Sequence, residues 1–362
     1  MSTSAEILLP GIAVPMGHLE ALIFAMSAVV TAWVACASAK LGEFLGVMDV
    51  PSGDGGHKRH QKPVPAVGGV ILAMIGTLVL MVSFPWSDFP DATGRFIRFV
   101  SLAVILAAML IGFADDRRNL SAPLRLGVSL FLLTALLLLV PKMIVRSFAF
   151  PSLGMSFDLG IMALPFTILC MLGLKYAVNM ADGRHGVLLG RSLIWASFFI
   201  FHAKPHMLPT MWGVMACILV LFVFNCRGRL FMGDCGAYGI AIYFGINTLA
   251  MHSQAYGDIR SAEAVLLFFV PVIDAVRLIL LRLARGQSPM SADNSHLHHL
   301  LDDALGWRRG WFVYMALVAL PLVAYQLLPG RGIQIIAIAF GFYGAVIWYC
   351  TKRERFKAVL VG

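Results

Sequence analysis

The sequence predicts an all-α, polytopic membrane protein of about eleven transmembrane helices, with its N-terminus outside and its C-terminus cytoplasmic. Three observations carry that prediction. The 362-residue chain is 59% hydrophobic and only 13% charged, and its mean hydropathy is +0.84. Apolar stretches of the ~20 residues needed to cross a bilayer recur along its length. The basic residues between those stretches gather mainly on one side.

In order, the apolar stretches centre near Val30, Met74, Leu106, Leu136, Ile168, Ser197, Leu219, Tyr243, Phe269, Val318 and Phe340. The first precedes every basic residue, Lys40 being the earliest, so it reads as a retained span rather than a cleaved signal peptide. The stretches near Ser197 and Tyr243 are the shortest, because polar loops cut close to their ends. No long soluble linker separates any span from the rest, so residues 1–362 read as one integral domain.

With these spans, Lys40, Lys58, Arg59, Lys62, Arg117, Arg118, Arg184, Arg227, Arg229, Arg282, Arg285, Arg308, Arg309 and the tail from Lys352 to Lys357 share one face. The other face holds only Arg95, Arg98, Lys142, Arg146, Lys204, Arg260 and Arg331. The richer face is expected to be cytoplasmic. The net charge of +9 follows from the same asymmetry and from attraction to anionic membrane lipids. Nothing resembles a nucleic-acid-binding module. The six cysteines include no CxxC pair, which suggests neither a disulfide framework nor a zinc site.

Four polar stretches fall on the basic face, although their acids and histidines played no part in assigning it. Ionisable groups at a membrane edge are costly and usually mark a site. Asp115 and Asp116 are adjacent at the end of an apolar run; such a pair needs a nearby cation, either a divalent metal or a neighbour such as Arg117 or Arg118. Asn179 and Asp182 are three residues apart, share a face if the turn is helical, and offer the hard oxygen ligands that Mg2+ prefers. Gly183 and Gly186 permit close backbone approach, though an ordinary Asn/Asp/Gly turn would use the same residues.

Asp234, flanked by Gly233 and Gly236, follows Arg227 and Arg229, which places a metal-ligand type beside guanidiniums able to clamp phosphate. The same arginines also satisfy the topology rule. His296, His298 and His299 sit in a long loop before the span starting near Trp311; they suit metal, phosphate or acid–base contacts, or simply a soluble loop. An earlier basic loop, from His57 through Lys58, His60 and Lys62 to Gly68 and Gly69, suits a pyrophosphate or lipid headgroups. Together these groups form a parts list for Mg2+-assisted phosphoryl transfer at one membrane face.

The ordered motifs Asp-Asp-x-x-x-Leu (Asp115, Asp116, Leu120), Asn-x-x-Asp-Gly (Asn179, Asp182, Gly183), Phe-Met-Gly-Asp (Phe231 to Asp234) and His-x-His-His (His296, His298, His299) resemble the polyprenyl-phosphate N-acetylhexosamine-1-phosphate transferases. The loop carrying Lys58, His60, Pro63, Pro65, Gly68 and Gly69 is similar to that family's first cytoplasmic loop. The resemblance runs from about Asp49 to Leu301.

It implies a bacterial inner-membrane enzyme with a cytoplasmic active site, transferring a sugar-1-phosphate from a UDP-sugar to undecaprenyl phosphate with release of UMP. The sugar is an N-acetylhexosamine, GlcNAc first. The resemblance assigns catalytic roles to Asp115, Asp116 and Asp234 and metal ligation to Asp234 and Asn179. Substrate contacts go to Lys58, His60, Asn179, Asp182, His185, Arg229, His296, His298 and His299. The cofactor implied is Mg2+, with Mn2+ as the alternative, and a homodimer stays open.

Within the family the chain is closer to the GlcNAc-type initiators of envelope polysaccharides than to the peptidoglycan-precursor branch, which has Lys in its Asp-Asp motif. The chain departs from the usual pattern at His57, at His185 (normally a second acid) and at Cys235-Gly236-Ala237. Those departures put donor choice in question and keep a non-catalytic UDP-sugar or lipid binder as one rival. An ion-coupled transporter is the other, but the acids gather at loop edges and no internal repeat is visible.

Overall fold

The computed structural model describes residues 17–50, 62–83, 92–150, 154–253, 258–288 and 295–361, with side chains as far as Arg353. The described residues form fourteen α-helices and two short hairpins. The helices are α1 (His18–Cys36), α2 (Ser38–Leu45), α3 (Gly68–Ser83), α4 (Ala92–Arg118), α5 (Ala122–Leu139), α6 (Ala163–Met180) and α7 (Val187–His202). They continue as α8 (Leu208–Cys226), α9 (Gly233–His252), α10 (Ser261–Leu267), α11 (Phe269–Ala284), α12 (Leu297–Leu305), α13 (Trp307–Leu327) and α14 (Gly332–Val361). One antiparallel hairpin pairs β1 (Met48–Asp49) with β2 (Val64–Pro65); the other pairs β3 (Ser147–Phe150) with β4 (Met155–Asp158).

The protein is thus an all-α polytopic membrane protein. All eleven expected centres lie in helices, Phe269 as the first residue of α11. Seven described helices are long and apolar enough to cross a bilayer, or eight if α10 and α11 make one span bent by 67°. The remaining apolar helices, α3 and α7, are shorter.

The core is organised around α9. From Cys235 to Met251 every residue is buried except the half-buried Tyr243. Its neighbours are α3, α4, α6 and α7. Its Gly, Ala, Asn and Thr content makes it less apolar than a lipid-facing span, and small residues let neighbouring backbones come close. One such approach is at Gly112 of α4, where a Cβ would fall on the backbone of Asp234 and Cys235. The first turn of α9 is thereby clamped to the last turns of α4. Leu and Phe side chains elsewhere, such as Phe131 and Leu138 of α5 or Phe312 and Leu320 of α13, stay exposed in keeping with a lipid environment.

Candidate active site

The C-terminal ends of α4 and α6, the N-terminal end of α9 and the histidine-bearing α12 meet at one end of the bundle, around a cavity of about 670 Å³. Five carboxylates border it, Asp49, Asp115, Asp116, Asp182 and Asp234, against two guanidiniums, Arg125 and Arg184. Arg184 is itself ion-paired with Asp302. The cavity wall is therefore acidic.

The two carboxylates that end α4 point to different partners. Asp116 Oδ1 accepts from the backbone N–H of Asp234 at 2.7 Å, and its Oδ2 accepts from that of Cys235 at 3.0 Å. It caps α9, whose first N–H groups would otherwise lack partners. Gly233 turns into this helix with φ +64°, and a side chain there would strike the Asp116 carboxylate. Asp115 Oδ1 accepts from Leu120 N–H at 2.8 Å. Its Oδ2 accepts from Arg125 at 2.6 Å and from the Tyr238 hydroxyl at 3.2 Å.

The cation that sequence proximity suggested for this pair was Arg117 or Arg118. Both are exposed at the end of α4, and Arg125, on the first turns of α5, takes the role instead. Helical neighbours two residues apart do not face each other, whereas the next helix folds back beside the pair.

Asp234 completes the acidic edge. Its Oδ2 lies 3.9 Å from Arg125, and its carboxyl group comes within hydrogen-bonding reach of Asp115. Two carboxyl groups so close require a shared proton or a cation between them. Asn179 and Asp182 face the same cavity, but not from one helical turn as expected: α6 stops at Met180 and Asp182 lies beyond its cap. The C-terminal end of α6 carries partial negative charge, which favours a cation in front of it. Burial pushes the Asp182 carboxyl up to about 7, with Arg191 opposing and Asp116 adding to the shift.

The loop after Asp182 is held by Asn225, whose Oδ1 accepts from Gly186 N–H at 2.7 Å while its Nδ2 donates to Leu230 at 2.9 Å. On this frame the His185 ring stacks on Phe231, centroids 4.8 Å apart and planes 12° apart. The end of the first basic loop is also fixed here: Gly68 and Gly69 donate to the carbonyls of Phe231 and Met232 at 2.9 and 3.0 Å, and Phe231 donates to Pro65 at 2.9 Å. His57, Lys58 and His60 lie outside the described residues.

The three histidines separate. His299 borders the cavity. His296 is buried and turned to α11, its Nδ1 3.0 Å from Asp274 Oδ2; Asp274 also accepts from Arg277 at 2.7 Å and Tyr343 at 2.8 Å. His298 packs against Gly183 and is 1% exposed. Neither of its ring nitrogens has a hydrogen-bond partner among the described residues. Burial, helped by His299 and His296, holds it well below the usual histidine value. Arg229 is exposed, its guanidinium 5.8 Å from the Phe224 ring, and does not border the cavity.

Sequence reasoning missed Arg125, Asp49, Asn225 and Asp274. Arg125 had a usable signal: it is the only charged residue in the apolar run of α5. Among the described residues no group of three or more His, Cys, Asp or Glu side chains is gathered to hold a metal by itself. The donor set nevertheless fits Mg2+, which commonly takes one or two carboxylates and completes its shell with water and substrate phosphate. Asp234, beside Asp115, and Asn179, which borders the same cavity, supply such oxygens.

The fold and site define a multi-pass membrane protein with an acidic cavity at one end of its helices. Residues 98–252 match the family described as glycosyl transferase family 4. The chain is 27% identical over 332 residues to the undecaprenyl-phosphate alpha-N-acetylglucosaminyl 1-phosphate transferase of Yersinia pestis, covering 85% of each chain. To the protein of that name from Escherichia coli it is 26% identical over 333 residues, covering 87% of this chain and 86% of the relative. The chain is thus similar, over most of its length, to undecaprenyl-phosphate N-acetylglucosaminyl 1-phosphate transferases, and its central residues carry the match to the family model.

Proposed function

We propose that the protein transfers a sugar-1-phosphate, GlcNAc-1-phosphate first, from a UDP-sugar to undecaprenyl phosphate at the cytoplasmic face of the bacterial plasma membrane, releasing UMP. The observation that carries this reading is the cavity's charge. Five aspartates face a space that both anionic substrates must enter, and that arrangement calls for a dication. The names of the relatives supply the acceptor and the sugar.

In the reaction a lipid-phosphate oxygen attacks the sugar-linked phosphorus, the bond from that phosphorus to the bridging oxygen breaks, and UMP leaves with the electron pair. One phosphoanhydride replaces another, so the exchange is reversible. Mg2+, when bound, would offset repulsion between nucleophile and donor phosphates and polarise the phosphorus.

The chain's residues divide this work. Asp234, with only Arg125 at a distance of 3.9 Å as a described basic partner, is the carboxylate open to the metal, and Asn179 borders the same cavity. Asp116 holds the turn that presents Asp234. Asp115 orients Arg125, whose guanidinium edge is placed to meet a phosphate. The His185–Phe231 stack is a shelf suited to a flat ring such as the donor's base.

The test is UMP release by purified protein in detergent, with undecaprenyl phosphate, Mg2+ and a panel of UDP-N-acetylhexosamines. UMP that appears only with lipid, metal and one donor together is the expected result. No UMP with any donor, in a folded preparation that still binds UDP-sugar, would replace the enzyme by a binding protein.

A further inference from the structure

Lys175 is the only charged residue in α6, and it is 1% exposed. A buried ammonium inside a span is costly and calls for a partner and a use. No carboxylate lies within ion-pair distance of it among the described residues. Its Nζ donates to Ser129 Oγ of α5 at 2.8 Å. It also sits 3.6 Å from the centre of the Tyr238 ring of α9 and 4.4 Å from that of Tyr176. Two aromatic faces and one hydroxyl thus take the place of a counter-ion.

Both non-covalent routes out of this cage lead to the same pair. The Tyr238 hydroxyl donates to Asp115 Oδ2 at 3.2 Å, the oxygen that also receives Arg125 at 2.6 Å. Ser129 donates to the carbonyl of Arg125 at 2.7 Å. A cation over the ring face draws electron density from the phenol and strengthens its hydroxyl as a donor. Lys175 does not border the cavity; it reaches the site through these neighbours and through the field its charge exerts on Asp234 and Asp115.

We propose that Lys175 is a positioning residue of the transferase site: by gripping the Tyr238 ring and Ser129 it fixes Asp115 and, with it, Arg125 at the cavity wall. This rests on the transferase reading above. The alternative is a lock between α5, α6 and α9 that affects stability and nothing else.

The experiment measures UMP release by the full-length protein in detergent, with the donor that the panel selects, for wild type, Lys175→Met, Lys175→Arg, Tyr238→Phe and the Lys175→Met/Tyr238→Phe double variant. Lys175→Met is expected to lower kcat about tenfold or more, with the KM for donor changed less than about threefold. Lys175→Arg, which keeps a cation over the ring, recovers most of that loss. Tyr238→Phe keeps the ring, removes the hydroxyl and loses a similar factor, and the double variant is no worse than the poorer single one.

A kcat for Lys175→Met within about twofold of wild type overturns the proposal, and so do losses that multiply in the double variant. Should Lys175→Met fail to fold, Tyr238→Phe decides alone, since a wild-type kcat there removes the link to Asp115. Wild-type protein that releases no UMP removes the transferase reading and this inference together. Active wild type with indifferent variants removes this inference only.

Discussion

Asp116 accepts a hydrogen bond from the backbone N–H of Asp234, 2.7 Å from Oδ1 to nitrogen. With the second bond from Cys235 at 3.0 Å, this makes Asp116 the cap of α9 and joins the first acidic motif to the third. A residue expected to take part in chemistry is thus also a structural hinge pin. Its substitution must be read in both currents, stability and rate.

Asp116→Ala is expected to remove both bonds and to destabilise the protein by about 1 kcal/mol, the usual worth of a helix cap. Asp116→Asn keeps one carbonyl oxygen and should lose less. Melting in detergent, followed beside UMP release, checks this. Full thermal stability in Asp116→Ala would show that the cap contributes nothing.

Asp234→Asn should behave in the opposite way. Among the described residues its side chain meets Arg125 at 3.9 Å and the nearby Asp115 carboxyl, and an amide in its place still donates to Asp115 without needing the shared proton. Melting should be unchanged or raised, while Mg2+-dependent turnover falls about 100-fold or more. Near-normal turnover would end the assignment of Asp234 to the metal.

Gly112→Ala tests the clamp between α4 and α9. The added methyl falls on the backbone of Asp234 and Cys235, which cannot rotate away as a side chain could. Overpacking of this kind costs about 1–3 kcal/mol. Because the displaced backbone is the one that aims Asp234, kcat should fall by more than the change in melting temperature alone would suggest. A variant with lowered stability and wild-type kcat would show that the cavity tolerates a shifted α9.

Two groups outside the spans give stability opposite pH slopes. Asp182 is pushed up to about 7 by burial, above its unfolded value of about 3.9. Its contribution is full below the unfolded value and is lost as pH rises through about 7. His298 is held well below the ordinary value, so its contribution is present above about 6.5 and is lost as pH falls. Asp182→Asn should flatten the decline in melting temperature between pH 4 and 7 (about the range set by the two values). His298→Gln should flatten the loss on acidification. Slopes unchanged by both substitutions would remove these two groups as its source.

How much of this was legible in the sequence depends on distance along the chain. Polar residues stand out against an apolar background, so the Asp115–Asp116, Asn179–Asp182 and Asp234 stretches were found, and the structure gathers them around one cavity. Partners on other helices were not visible. Arg125 is ten residues past Asp115 and reaches it only because α5 folds back; Arg117 and Arg118, nearer in sequence, point away. Asp274 binds His296 across 22 residues, and nothing local to the histidines announces it. The helices were legible as apolar runs; the 67° break between α10 and α11 had a signal that the apolar reading passed over, Pro271, which has no N–H to donate to the Leu267 carbonyl.

His185→Asp addresses the chain's main departure from the transferase motif that it resembles. The His185 ring lies flat on Phe231, and Trp307 donates to the His185 carbonyl at 3.2 Å, so the backbone is held independently of the side chain. Substitution should therefore leave the loop in place and change only what the cavity meets there: an aromatic face becomes a carboxylate, in a wall already rich in acids. Stacking is lost and a hydrogen-bond acceptor gained, which alters discrimination between donors more than the rate of the chemical step. The expected outcome is a shift of about tenfold in the ratio of kcat/KM between two UDP-sugars, with the higher kcat changed far less. Competition assays with paired UDP-sugars measure that ratio directly, and an unchanged ratio would place donor selection elsewhere in the cavity.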